Sequence, residues 1–295
     1  MGGISDTMKE IVSIERRPLA HWVGDGFPVR TIFSFETLGY RISPFLLMDY
    51  AEPTEFEPSE EPRGVDVHPH RGFETVTIVL QGELEHRDSA GNRGKIGPGD
   101  VQWMTAASGI VHEEKHSDSF TRRGGVLEMV QLWVNLPAEF KMNPPSYQTL
   151  LSRQIPIVGL AEGNGEIRVI AGDCGGIKGP ARTFTPVNLW DLQLAADCCT
   201  ELTLPRGFTT ALFVLRGEVD LPKGERAGQS DLVLLTREGE EVQLAARKEA
   251  RVLVLNGAPI DEPVAMFGPF ALNSRSEINQ AIEDYHNGRM GRLAA

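Results

Sequence analysis

The chain is poor in cysteine, in clustered basic residues and in long apolar runs, and each scarcity excludes something. Three cysteines occur among 295 residues, Cys174, Cys198 and Cys199. An odd number with two adjacent makes no disulfide framework, so they read as small hydrophobes of a protein in a reducing compartment. Lys and Arg total 29 against 41 Asp and Glu, a formal net charge of −12. No stretch concentrates the basic residues, which argues against direct binding to a nucleic-acid backbone. From Met1 to Trp22, Asp6, Lys9, Glu10, Glu15, Arg16 and Arg17 interrupt the apolar residues, so no signal-peptide core forms. No later run is long enough to cross a bilayer as a helix, and the expectation is a cytoplasmic protein that does not bind membranes. Histidine is scarce in the second half: His286 stands alone between Leu150 and Ala295, which leaves no multi-histidine site there.

What is present has the grammar of strands. Thr75 to Leu80 and Val126 to Leu136 are rich in β-branched and bulky residues. Gly82, Gly91-Asn92, Gly97-Pro98-Gly99, Gly109 and Gly124-Gly125 punctuate at short intervals, which predicts an all-β sandwich or barrel. One helix is expected over 275–287. Ser274 to Glu277 forms a capping box, Ile278, Ala281, Ile282 and Tyr285 make one apolar stripe, and Gly288 stands at the C-terminal cap.

The strands also repeat. Arg71-Gly72-Phe73 returns as Arg206-Gly207-Phe208, and Val79 to Glu83 returns as Val214 to Glu218, both 135 positions on. Asp100 to Thr105 resembles Asp231 to Thr236 at a separation of 131, as a shortened hairpin would give. Two copies of one fold are the economical reading. Prolines 137, 144, 145 and 156 mark the connector, so the expected domains are 1–140 and 141–295, with the helix closing the second.

The repeat separates scaffold from chemistry. In this alignment His68 corresponds to Thr203, His70 to Pro205, His112 to Gln243 and Glu114 to Ala245, so the second copy lacks all four. Residues i and i+2 of a strand share a face, so His68 with His70, and His112 with Glu114, each project together. Three imidazoles and a carboxylate suit Fe(II), Mn(II), Ni(II), Cu(II) or Zn(II) better than Ca(II) or Mg(II). Octahedral coordination would leave two positions for water, substrate or dioxygen. Glu113 has the wrong parity and should point outward. Glu74 shares the parity of His68 and His70 and is expected to orient an imidazole or line the cavity, with Trp103 as a further lining candidate. His21, His86 and His116 are expected to be exposed or structural.

Gly64, His68-Pro69-His70, Glu74, Pro98-x-Asp100 and His112 are similar to the two cupin motifs. More closely, His68 to Val76, Pro98 to Ala106, Gly109 to Glu114, Gln131 to Pro137, Gly257 to Val264 and Gly268-Pro269-Phe270 resemble the signatures of the pirin family of bicupins. Val65 departs from them, standing where many members have Phe. The resemblance implies two cupin (jelly-roll) β-barrels face to face, with one divalent transition metal in the N-terminal barrel alone. Fe(II) is foremost, with Mn, Ni, Cu, Co or Zn as alternatives, and the ligands are His68, His70, His112 and Glu114. It also implies a metal-dependent dioxygenase that cleaves flavonols such as quercetin at the 2,3 bond with release of carbon monoxide. Its substrates would be a small aromatic molecule and dioxygen, and Glu114 would be the catalytic proton acceptor. The alternative it carries is an iron-binding regulator that engages a protein partner without catalysis.

Overall fold

The computed structural model describes residues 7–293. Its first half holds β1 (Ile11–Glu15), β2 (Ala20–Val23), β3 (Phe27–Ser34), β4 (Phe45–Phe56), β5 (Gly64–His70) and β6 (Phe73–Gln81). These continue as β7 (Leu84–Asp88), β8 (Arg93–Ile96), β9 (Val101–Thr105), β10 (Ile110–His116), β11 (Gly125–Asn135) and β12 (Ser146–Leu150). The second half holds β13 (Ile157–Gly159), β14 (Gly165–Ala171), β15 (Asp173–Cys174), β16 (Ile177–Lys178), β17 (Val187–Leu194), β18 (Cys198–Thr203) and β19 (Thr209–Arg216). After these come β20 (Glu218–Asp220), β21 (Arg226–Gly228), β22 (Leu232–Leu235), β23 (Glu241–Ala246), β24 (Ala250–Gly257), β25 (Ala265–Phe267) and β26 (Phe270–Leu272). A helix over Arg275–His286 follows.

The all-β reading holds, and so does the repeat. One unit combines a seven-stranded sheet, β12-β9-β6-β11-β4-β3-β2, with a four-stranded sheet, β5-β10-β7-β8. The other combines β1-β22-β19-β24-β17-β14-β13 with β18-β23-β20-β21. Each strand from β4 to β11 thus has a counterpart in the same sheet position, and the chain forms two jelly-roll barrels.

The units are interleaved along the chain rather than consecutive. One gathers Leu19–Ser34, Phe45–Ser152 and Ile260–Ala295; the other gathers Met1–Pro18, Phe35–Pro44 and Arg153–Pro259. Strand β1 pairs with β22, taking beside it the edge position that β12 takes beside β9. The C-terminal helix, expected as the end of the second domain, belongs to the first unit. Its stripe explains the placement: Ile278 and Ala281 are fully buried against Val111, Phe270, Leu272 and Met290. Burying such an isoleucine is worth about 2–3 kcal/mol. Ser274 caps the helix by accepting from the Glu277 N–H at 3.3 Å, and Glu277 in turn accepts from the Asn273 N–H at 2.9 Å.

The barrel without histidines is a packed core. Trp190, Leu202, Leu204, Leu212, Val242, Leu244 and Val254 fill it. Thr203, Pro205 and Gln243 are exposed, so the alignment of the histidines onto those residues is one position out. The register match does hold through β6 and β19, where Val79 and Val214 both face their cores. Preceding β19, however, the inward positions are Leu202 and Leu204. A slip of one residue turns every side chain of a strand to its other face. Leucines, not threonine and proline, occupy the place of the histidine pair.

Candidate metal centre

Strands β5 and β10 are antiparallel neighbours, with His112 opposite His68 and Ile110 opposite His70. This register brings the His-x-His and His-x-Glu pairs to one wall of the first barrel. Ring centroids lie 4.3 Å apart for His68 and His112, 4.9 Å for His70 and His112, and 4.8 Å for His68 and His70. The ring nitrogens that the three offer as ligands lie within 4.8 Å of one another. His70 and His112 are buried and His68 is half-buried, so solvent meets the cluster at His68.

Each imidazole is held through its Nδ1. His68 Nδ1 donates to the Asp66 carbonyl at 2.7 Å and His70 Nδ1 to the Pro269 carbonyl at 3.4 Å. His112 Nδ1 lies 3.3 Å from His86 Nδ1. Carbonyl acceptors force a proton onto Nδ1 and leave Nε2 with a free lone pair. Burial, reinforced by His68, holds the His70 pKa well below its usual value, and burial with His70, His68 and His86 does the same for His112. Both rings are therefore neutral at physiological pH, the state that binds metal. His112 Nε2 is buried and has no hydrogen-bond partner. A stranded buried lone pair beside two more imidazoles fits a borderline divalent transition metal.

A register shift separates His112 from Glu114, which pairs with Val65. Glu114 forms a second group with His112 and His86, again within 4.8 Å, instead of closing on His68 and His70. Its Oε1 accepts from Thr77 Oγ1 at 3.1 Å and Gln102 Nε2 at 2.7 Å, and its Oε2 from Gln131 Nε2 at 2.7 Å. These donors come from β6, β9 and β11, adjacent strands of the seven-stranded sheet. Tyr147 fixes the Gln102 amide by donating to its Oε1 at 3.0 Å.

Glu74 and Trp103 lie elsewhere. Glu74 and Thr77 are three apart on β6, so they face opposite sides, and Thr77 takes the side of Glu114. Glu74 Oε1 accepts from Thr105 Oγ1 at 2.7 Å, while burial raises its pKa to about 7. Trp103 is fully buried on the Thr105 side of β9. The parity count from His70 fails because Arg71 and Gly72, the latter at φ +90°, break β5 from β6. Glu113 does point outward, to Arg87. His116 is structural, bonded to the Gly26 carbonyl at 3.0 Å among Phe27, Phe56 and Phe120. His21 is exposed.

Sequence reasoning missed His86. It is buried, stacks on Tyr147 at 4.7 Å and 19°, and bonds Asp88 Oδ2 through Nε2 at 3.1 Å. The spacing of His86-x-Asp88 matches that of the other two pairs, and this was the available signal. Gln102, Gln131 and Thr77 offered none, since only tertiary contact links them to Glu114. Trp133 was missed as well: with Phe73, 4.4 Å away, it forms an aromatic wall beside His70, at 5.3 and 5.1 Å.

Two jelly-roll barrels in one chain, with the side-chain clusters of the described residues that could hold a metal confined to one of them, define a bicupin. Residues 26–134 match the family model described as Pirin, and residues 189–291 match the Pirin C-terminal cupin domain. The chain belongs to the pirin family. It is 57% identical over 282 residues to a Pseudomonas aeruginosa protein whose name provisionally assigns it as a quercetin 2,3-dioxygenase, covering 96% of this chain and 98% of that one. The crystal structure of a quercetin 2,3-dioxygenase from Acinetobacter baumannii superposes with TM-score 0.94 at 47% identity, covering 97% of this chain and 100% of that one. The bacterial pirin YhhW of Escherichia coli, solved with nickel(II), shares the fold at TM-score 0.63 and 22% identity, covering 84% of this chain and 100% of that one. Among the described residues no helix is long and apolar enough to cross a membrane.

Proposed function

We propose that this protein is a metal-dependent flavonol 2,3-dioxygenase with one metal held by His68, His70 and His112, and with Glu114, which the structure groups with His112, drawn in as the fourth ligand when the metal binds. The observation that carries this reading is the buried, partnerless Nε2 of His112 facing a cluster of imidazoles whose Nδ1 atoms are already engaged. Nitrogen donors of this kind suit Fe(II), and equally admit Ni, Mn, Co, Cu or Zn. The family relationship supports the same reaction class.

A metal bound there supplies Lewis acidity toward the flavonol's 3-hydroxyl. The rest is done by the chain. Trp133, half-buried and backed by Phe73, presents flat apolar surface beside His70, which suits a planar aromatic substrate. A carboxylate has roughly four lone-pair positions, and three on Glu114 carry bonds from Thr77, Gln102 and Gln131. The one remaining position would serve the metal, and on loosening from it Glu114 would accept the 3-hydroxyl proton. Its three donors keep the carboxylate in place while it changes protonation. One dioxygen would be consumed and one carbon monoxide released per flavonol opened. Three free thiols suit a reducing cytoplasm.

The test uses protein loaded anaerobically with each metal in turn and mixed with quercetin in air. Loss of the flavonol absorbance with matching carbon monoxide release is expected, and His70→Ala should abolish both. Equal loss with wild type and His70→Ala would refute the proposal.

A further inference from the structure

The His86–Asp88 pair has no place in the reaction described above, yet it is buried and joined to His112. We propose that Asp88, acting through His86, is a positioning residue that sets the tautomer of His112. The inference rests on the reading of His112 as a metal ligand, but its central claim concerns the metal-free protein.

The logic is a proton count along three hydrogen-bonded groups. Asp88 Oδ2 is a carboxylate oxygen and can only accept, so His86 must carry its proton on Nε2, 3.1 Å away. The relay requires the ring to carry that one proton only, so that His86 offers a lone pair at Nδ1. His112 Nδ1, at 3.3 Å, must donate to it. The proton of His112 is thereby committed to Nδ1, and Nε2 is left as the bare lone pair. Where His68 and His70 reach this state through backbone carbonyls, His112 reaches it through a side chain whose own polarity is imposed by a carboxylate.

Asp88 is itself held. Its Oδ1 accepts from the backbone N–H groups of Ala90 at 2.9 Å and Asn92 at 3.0 Å, and the Asn92 amide donates to Oδ2 at 2.9 Å. The turn after β7 thus decides which carboxylate oxygen faces His86. Tyr147, stacked on the ring, fixes the plane of His86.

That anchoring makes Asp88→Asn a directional probe. The two backbone donors keep the carbonyl oxygen of the new amide, and the Asn92 amide, already 3.2 Å from that oxygen, turns wholly to it, so the new nitrogen faces His86 Nε2. An N–H there turns Nε2 into an acceptor and moves the His86 proton to Nδ1. This proton donates to His112 Nδ1, and His112 must carry its own proton on Nε2, the atom meant for the metal. His86→Phe is the second probe, keeping a ring to stack on Tyr147 but removing both nitrogens.

Long-range nitrogen-15 NMR on metal-free protein reads the tautomers directly. The wild type should show Nε2–H at His86 and Nδ1–H at His112, with both reversed in Asp88→Asn and His112 mixed in His86→Phe. Nickel(II) affinity, measured against a chromophoric chelator, should fall by roughly 10- to 100-fold in both variants, the usual cost of losing a group that orients a ligand. Unchanged His112 tautomer in either folded variant overturns the relay. Reversed tautomers in a protein that binds no metal even as wild type would support the relay and sink the proposed ligand set instead.

Discussion

Pro269 and His70 stand 199 positions apart in the chain, and the carbonyl of the first holds Nδ1 of the second at 3.4 Å. The contact is one stitch of a longer seam. The same carbonyl accepts the Arg71 N–H at 3.3 Å, and Ala271 N–H donates back to the Arg71 carbonyl at 3.0 Å. Lys141 closes the seam from below, donating to Gly72 O, Asn135 Oδ1 and Ala271 O. The segment that follows the second barrel in sequence is therefore part of the wall around a histidine of the first.

Asp284 should control that wall. Arg71 Nη1 reaches Asp284 Oδ2 at 2.9 Å, and Arg71 Nε reaches Ser108 O at 2.7 Å. Burial alone would raise the Asp284 pKa, but hydrogen bonds from Arg71, Gln280 and Arg289 hold it at about 2. Asp284→Asn is expected to cost roughly 3 kcal/mol in urea unfolding, since it leaves Arg71 buried without its counter-charge. Nickel(II) affinity should fall with it as His70 loosens. Because the folded pKa is depressed, the stabilisation is present above about pH 4 and is lost as the pH falls through about 2. An unchanged acid limb in the variant would contradict the assignment.

Glu74 should have the opposite pH signature. Burial raises its pKa to about 7, so the folded protein holds a proton that the unfolded chain releases near 4.5. Its contribution is full below about pH 4.5 and disappears as the pH rises through about 7. At 1.36 kcal/mol per unit, that is worth roughly 3 kcal/mol. Glu74→Gln should flatten the stability profile across this window without lowering metal affinity, because the side chain faces away from the histidines. Denaturant melts at closely spaced pH values read the slope.

Trp133→Leu tests the aromatic wall. The indole lies 5.3 Å from His70 and 4.4 Å from Phe73. Losing it should raise KM for quercetin about 10-fold, equivalent to about 1.4 kcal/mol of binding. Metal content by elemental analysis should not change. A fall in kcat at constant KM would place the substrate elsewhere.

Gly72→Ala probes the turn between β5 and β6. Gly72 has φ +90°, and an added Cβ would lie 2.0 Å from the Ala271 carbonyl oxygen. Backbone strain and the lost Lys141 and Ala271 contacts should together cost about 2 kcal/mol or more. Thermal unfolding followed by circular dichroism measures it, and a neutral effect would mean the turn relaxes freely.

The histidine cluster was legible because strand alternation is local: His68 and His70 share a face whatever the rest of the chain does. The same counting fails for Glu74 because Gly72 intervenes, where the chain turns and parity starts afresh. The second barrel shows the same weakness, since a one-residue slip before β19 assigns Thr203 where Leu202 belongs. The helix could be read from Ser274, Ile278 and Ala281, yet nothing in its stripe says that Val111 receives it. His86 has the right spacing, but its partners, Asp88 and His112, lie along and across strands rather than in a second matching pair, so only the folded chain reveals them.

The exchange of terminal segments bears on how the protein can be taken apart. Strand β1 completes a sheet of the histidine-free unit, and Pro269, in the segment after that unit, holds His70. A gene divided at the proline-rich connector would give each fragment the edge piece its neighbour needs, and deny it its own. The orientation of His70 is thereby set by a segment that lies beyond the whole of the histidine-free barrel in the chain.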